Sequence, residues 1–275
     1  MSTLPIRIGL VDMTGFIDPN TMAEVASALN MQVTRDLPQY WKVNATVSYL
    51  ADAKKVPAGV WPVQLVTKLP PGEGGFHLTK HNQPYARVIA KRNSNEWTID
   101  ASHEVLEMVV DPSGNRLQVS DAIEVKGNGV VDAHGQFEYL VEICDPCEAD
   151  NFSYSIDGYA VSDFITPHYY DAAKVAGVRY SFTGAITRPR EMMKGGYISF
   201  LDVAANEMKQ ILWVDPESPP ELKSLGAPSG SSLRAFVEMH TRAASLKHRS
   251  GVPEGVKTHR KAFAAAALKR AKNYV

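Results

Sequence analysis

The sequence predicts an α+β fold, with a mixed sheet built around one buried helix and a loop-rich C-terminal part. Three observations lead there. Short apolar runs, alternating or continuous, recur through the first ninety residues. One amphipathic helical run interrupts them early. A second, Thr98 to Val110, is apolar around much of its circumference yet carries several ionisable side chains.

Ile6 to Val11 is the first strand. Asp18-Pro19 then has the form of an N-cap followed by Pro at the first helical position. Met22, Val25, Ala26, Leu29, Val33 and Leu37 recur at helical spacing, which predicts a helix from Pro19 to Leu37. Val43, Ala45, Val47 and Tyr49 alternate as in a half-buried strand. Val63 to Leu69 and Tyr85 to Ala90 are two further strands. Between them, Pro70-Pro71-Gly72 and Gly74-Gly75 mark a turn or flexible loop. His77 and His81, lying between these glycines and Pro84, read as loop residues. In the helix Thr98 to Val110, Asp100 or Ser102 caps the start. Asp111-Pro112 ends it, because a residue before Pro is biased away from helix. The order is thus β-α-β-β-β-α.

From Ser113 to Val141 the chain is rich in Gly, Asp and Asn, with short β-like pieces and a turn at Gly127-Asn128-Gly129. Asp157-Gly158 marks a further turn, suited to a hairpin. Ser218 to Glu221 and the Gly- and Ser-rich run from Gly226 to Ser232 read as linkers. The segment from Lys257 is Ala- and Lys-rich and reads as helix. These breaks divide the chain into a domain over 1-171 with its helix at 98-111, an extension over 172-230 packed on it, and a basic helical tail over 231-275.

The apolar fraction is 44%, ordinary for a soluble globular protein. No apolar stretch approaches the roughly 20 residues of a membrane span. Met1 to Ile8 lacks the pattern of a signal peptide. The expectation is a soluble cytoplasmic protein with no membrane partner. Cys144 and Cys147 are the two cysteines, too few for a disulfide framework or a four-cysteine zinc site. They remain open as a buried pair, a local disulfide, a redox pair or metal ligands. Ten Lys or Arg and two Glu fall between Ser231 and Val275, leaving 19 basic and 28 acidic residues before them. An acidic body therefore precedes a basic tail. The tail can be a solvated helix face, or can dock on its own body, on an assembly partner or on nucleic acid. The nucleic-acid reading rests on charge alone and is the weakest. Neither a Gly-rich phosphate loop nor a serine nucleophile elbow is found.

The chemistry concentrates in Ser102-His103-Glu104-Val105-Leu106-Glu107. Residues four apart on a helix differ by about 40° around its axis, so His103 and Glu107 point the same way and can share a metal. Glu104, beside the first ligand, can act as general base on a water at that metal. This is the logic of the His-Glu-x-x-His zinc-hydrolase helix, with Glu in place of the second His. Asp111 is a poor additional ligand. Eight residues past His103, it lies about 80° further round the helix and about 12 Å along it.

The strand and helix order before this helix is that of zinc proteases of the metzincin and related type. The run Ser102 to Pro112 resembles the Ser-His-Glu-x-x-Glu-x-x-x-Asp-Pro signature of a group of bacterial and phage-associated zincin-like metallopeptidases, a motif similar to one in plant exordium-like proteins. Val141-Glu142-Ile143-Cys144-Asp145-Pro146-Cys147 resembles that group's Gly-Glu-Ile-x-Asp-x-Cys element, with Val in place of Gly. Val161 to Pro167 is also similar to sequences of this group. The resemblance covers roughly Ile6 to Tyr170. It implies a zincin-like fold and a Zn2+ cofactor. By analogy with gluzincin-type hydrolases, it also implies Glu142 as third metal ligand and Asp145 as the partner of the other ring nitrogen of His103. His168 and Tyr169 are candidates to contact substrate or an oxyanion, or else belong to an aromatic packing cluster with Tyr170. The function implied is a zinc metallopeptidase acting on a peptide or protein substrate, with an edge strand such as Tyr85 to Ala90 pairing with it. The alternative is a non-catalytic zincin-like structural or interaction protein of a phage particle or bacterial assembly.

Overall fold

Strand β1 (Ile6–Asp12) opens the first sheet in a computed structural model that describes residues 4–69, 74–213, 215 and 217–241. Helix α1 (Pro19–Met31) follows. Asp18 accepts a hydrogen bond from Thr21 N at 3.1 Å, and Pro19 takes the first helical position, as the sequence indicates. The helical run then continues as a π turn over Gln32–Asp36 and a 3-10 turn over Leu37–Gln39. Strands β2 (Ala45–Tyr49), β3 (Val60–Val66), β4 (Gly75–Lys80) and β5 (Gln83–Ile89) complete the sheet. Its order is β2-β1-β3-β5-β4. All neighbours are parallel except β4, which runs antiparallel on β5.

Two sequence expectations change here. Tyr85 to Ala90, expected as an edge, lies inside the sheet, because β4 pairs on its outer side. The stretch expected as loop around His77 is that strand. β4 and β5 are joined by the two-residue turn His81-Asn82, with φ of 50° and 59°. Two positive-φ residues between paired strands match the twist that favours tight hairpins. His81 is therefore a turn residue, whereas His77 is strand and buried.

Helix α2 (Trp97–Val110) comes next and is buried along its whole length. It packs against β4, β5 and the later strand β9 (Tyr159–Val161). Val105, Leu106 and Met108 are fully shielded, each contributing about 1.5–3 kcal/mol of burial. Neither Asp100 nor Ser102 caps this helix. It starts earlier, after Glu96, and both lie within its first turns. Asp111 does end it, as expected.

The second sheet is antiparallel, with order β12-β11-β10-β7-β6. Its strands are β6 (Leu117–Val125), β7 (Val130–Leu140), β10 (Tyr197–Asp202), β11 (Glu207–Leu212) and β12 (Glu221–Gly226). Strand β8 (Tyr154–Ile156) and β9 form a separate hairpin across Asp157-Gly158. The division drawn at residue 171 runs through the second sheet, because β7 pairs with β10 across it. Such long-range pairing leaves no local mark in a sequence. Helix α3 (Leu233–Thr241) packs on the body through Leu233, Phe236 and Val237, together with Leu140, Met208 and Leu201. Of the ten basic residues counted after Ser231, nine lie in 242–275, outside the described residues, as does the helix expected from Lys257. No described helix is long and apolar enough to cross a membrane.

Buried polar bonds fix α2 in its seat. Ser102 Oγ donates to Gln32 Oε1 at 2.7 Å and accepts from Ser162 N at 2.9 Å. Gln32 Nε2 donates to Ser162 O at 3.0 Å. The π turn, α2 and the segment after β9 are thereby tied together. Replacing Ser102 by Ala strands Ser162 N–H and Gln32 Oε1 in the interior, a loss of about 1–3 kcal/mol. Urea unfolding of Ser102→Ala should show this fall in stability. A change below about 0.5 kcal/mol would mean the network does not hold the helix.

Candidate metal centre

The site is built where α2 meets the 142–147 segment, β4 and α3. His103, Glu104 and Glu107 come from α2, and all three are buried. His103 Nε2 lies 3.1 Å from Glu107 Oε2, as one-turn spacing on a helix requires. The chain after β7 bends into a 3-10 turn at Asp145–Cys147. Asp145 in this turn and Glu142 just ahead of it are both buried, and Asp145 Oδ1 lies 3.2 Å from Nε2, the same His103 nitrogen that faces Glu107, rather than from the other ring nitrogen as the resemblance implied. Gly196, just before β10, lets that strand close on the turn: a Cβ there would sit 2.7 Å from the carbonyl oxygens of Asp145 and Pro146.

The hub is Glu107. Its Oε1 accepts Cys144 N at 3.1 Å. Its Oε2 faces His103 and accepts a short hydrogen bond from Arg234 Nη1 of α3. The same Nη1 donates to Glu142 Oε2, and Nη2 to Glu104 Oε2 at 3.2 Å. Arg234 Nε donates to Glu238 Oε1 at 2.9 Å. His77 Nδ1 lies 3.3 Å from Glu104 Oε2, and its Nε2 lies 3.2 Å from Asp111 O. The imidazole of β4 thus spans the base candidate and the end of α2. Glu104 in turn seats against bare backbone: a Cβ on Gly75 would come within 2.9 Å of its Oε1.

Four carboxylates are gathered here, and two of their oxygens are left over. Glu142 Oε1 and Asp145 Oδ1 are buried with no hydrogen-bond partner. Asp145 Oδ1 is near His103 Nε2 without the alignment of a hydrogen bond. The charges respond accordingly. Burial pushes Glu142 well above the usual carboxylate range, and Arg234 offsets this only in part. Burial and the nearby Glu107 push Asp145 up likewise. Burial opposes the charge of Glu107 too, but His103 and Arg234 hold it well below its ordinary range. Glu104 is lowered for the same reason, chiefly by Arg234. Burial disfavours the charged imidazolium of His103, yet Glu107, Asp145 and Glu104 together keep it well above its usual value.

Two groups among the described residues bring possible ligand atoms within 4.8 Å of one another: His103, Glu107 and Cys144, and His77, Glu107 and Glu142. The donor sets overlap at Glu107. Both cysteines are free and buried. Burial raises both thiols well above their ordinary range.

Of the residues expected from the sequence, His103, Glu104, Glu142 and Asp145 line one cavity of about 60 Å³, and Glu107 lies behind it, 3.1 Å from His103 Nε2. Asp111 does not serve as a ligand. Its Oδ2 accepts Arg116 N at 2.7 Å and its Oδ1 accepts Ser113 Oγ at 3.3 Å, closing the turn after α2. His168 faces solvent and pairs with Asp171 at 2.8 Å. Tyr169, one residue on, turns inward and lines a smaller cavity with Glu142 and Asp145. His77 and Arg234 were not anticipated. The signal for His77 was Phe76-His77-Leu78 as a short alternating run. For Arg234 it was an arginine at the start of an apolar helical pattern, Leu233, Phe236 and Val237, rather than on a uniformly basic face. Comparison with protein-family models, with curated proteins and with solved structures found no match for this chain.

The division of labour between Asp111 and Glu142 can be tested. Asp111→Ala should lower stability by about 1–3 kcal/mol, through the lost bond to Arg116 N, while zinc binding measured by calorimetry stays unchanged. Glu142→Ala should weaken zinc binding at least tenfold. The reverse pattern would place Asp111, not Glu142, at the metal.

Proposed function

We propose that this chain is a zinc-dependent metallopeptidase with a zincin-like fold. One observation carries the reading: His103 and Glu107, one turn apart on a buried helix, converge with Asp145 on a single imidazole nitrogen, while Glu104 faces the same cavity. Two donors on a tetrahedral zinc lie about 3.3 Å apart, given bonds of about 2.0–2.1 Å. The separations of 3.1 and 3.2 Å around His103 Nε2 are close to that. The two unpartnered buried oxygens, on Glu142 and Asp145, suit a cation as well. The parallel sheet with one antiparallel edge strand beside the helix supports the same reading.

His103 and Glu107 would hold the metal, with Glu142, which approaches Glu107 from the His77 side, as the third protein donor. When bound, zinc supplies Lewis-acid polarisation of a carbonyl and lowers the pKa of water. The remaining work falls to the chain itself. Glu104 takes the proton of the attacking water and passes it to the leaving amine. His77 holds the Glu104 carboxylate from the β4 side. With β5 inside the sheet, an extended peptide would pair with β4, the edge strand of this sheet that packs beside α2.

A second reading has an observation of its own. The Arg234 guanidinium engages Glu104, Glu107 and Glu142 together, so the cluster can be a structural ion-pair network in a non-catalytic scaffold. Metal content separates the two. The purified full chain, equilibrated with zinc, should retain about one equivalent by elemental analysis, and His103→Ala should lose it. Glu104→Gln should keep the metal yet abolish cleavage of a broad peptide library that the unaltered chain digests. Metal retained in full by His103→Ala would remove the site from this helix. Undiminished cleavage by Glu104→Gln would remove Glu104 as the base.

A further inference from the structure

The most heavily used cation in the cluster is the chain's own. Arg234 is 5% exposed, and through its guanidinium it satisfies an oxygen of each of Glu104, Glu107 and Glu142. Glu107 and Glu142 are also the carboxylates whose oxygens group with His77 as possible metal ligands. The competition is sharpest at Glu107 Oε2, which lies 3.1 Å from His103 Nε2 and also accepts from Arg234 Nη1: a guanidinium N–H and a metal cannot share one lone pair of that oxygen, whereas Glu142 meets Arg234 through Oε2 and keeps Oε1 unpartnered.

The helix that delivers Arg234 is lightly held. α3 has nine residues. Its apolar contacts form a small cluster around Leu140, Met208, Phe236 and Val237, separate from the main core. Besides the bonds of Arg234 itself, α3 is tied among the described residues by hydrogen bonds to the turn after α2, including Leu233 N to Asn115 Oδ1 at 2.8 Å, Arg234 N to Gly114 O at 3.0 Å, and Asn115 Nδ2 to Ser231 O at 2.8 Å. Just before it the chain passes through Gly226 and Gly230, both in the left-handed region at φ of 84° and 91°. Such residues can reorient at little steric cost. A short helix on a satellite cluster, behind a glycine-rich run, can leave while both sheets stay intact.

We propose that α3 is a latch, with Arg234 standing in for the metal as the counter-cation of Glu107 and Glu142, so that seating of α3 and full loading of the centre exclude one another. The proposal rests on the metal-centre reading above. In the latched form the same guanidinium also ties down Glu104, which leaves that carboxylate less free to take a proton. By linkage, whatever factor Arg234 costs zinc in affinity, zinc costs α3 in seating. The device would keep the site closed until zinc, or a partner that pulls α3 away, tips the balance.

The test uses the full chain, freed of metal, with zinc ion as probe. Zinc affinity is measured by competition with a chromophoric chelator for the unaltered chain, Arg234→Ala and Arg234→Lys. Hydrogen exchange of the 233–241 amides is followed with and without zinc. The latch predicts about tenfold or tighter binding by Arg234→Ala, with Arg234→Lys between, because Lys keeps a charge but not the two-pronged geometry. It also predicts that zinc speeds exchange across 233–241 in the unaltered chain, a readout that stands even if Arg234→Ala folds poorly. Equal affinities, with α3 amides as protected in zinc as without it, would overturn the latch while leaving the metal centre in place. Failure of the unaltered chain and both variants to bind zinc would overturn the metal centre, and the latch with it.

Discussion

Glu107 is a fully buried carboxylate, and four parts of the chain are arranged around its two oxygens. Removing an ion from water costs several kcal/mol even after relaxation, so such a group persists only where partners replace its hydration. The partners come from separate places: His103 one turn back on α2, Cys144 N–H from the bend after β7, Arg234 from α3, and His77 Nδ1 at 3.9 Å from β4. Each must be brought in by a different piece of fold. The first sheet supplies β4, the second sheet supplies the bend after β7, and the C-terminal helix caps the assembly. In this sense the two sheets are joined through one carboxylate.

The surrounding chemistry follows from a surplus of negative charge. Glu104, Glu107, Glu142 and Asp145 face His103 and Arg234, and one oxygen each of Glu142 and Asp145 is left unpartnered. A buried cluster in that state can take up protons or a cation, and burial pushes Glu142 and Asp145 toward their neutral forms. The energetics of a buried ion pair allow either outcome: an intact network is close to neutral for stability, whereas a broken one costs about 3–5 kcal/mol. The cluster's buried ion pairs are therefore no evidence of added stability.

How much of this the sequence disclosed depended on how local the cause was. The Asp18-Pro19 start of α1, the spacing of His103 and Glu107, and the stop at Asp111-Pro112 are set within a few residues, and all three appear in the structure. The resemblance of Val141 to Cys147 to a known element places Glu142 and Asp145 near the helix, and the structure brings Asp145 close to His103 and Glu142 close to Arg234. Three things escaped. β4 was hidden because its hairpin turn is His81-Asn82, lacking the glycine that usually marks such a turn. The second sheet was hidden because β7 finds β10 nearly sixty residues later, and no periodicity reports a partner. Arg234 was hidden by its neighbours: counted among ten basic residues, it looked like part of a charged tail, when the apolar spacing of Leu233, Phe236 and Val237 marked a face turned inward.

X-ray absorption at the zinc edge, on the full chain loaded with one equivalent, probes the central claim most directly, because it reads which atoms touch the metal. Nitrogen and oxygen donors only are expected around the metal, at about 2.0–2.2 Å, with an imidazole signature that disappears in His103→Ala. A sulfur scatterer at about 2.3 Å would assign the metal to Cys144 or Cys147 instead. A spectrum unchanged by His103→Ala would contradict the claim that this helix holds the metal.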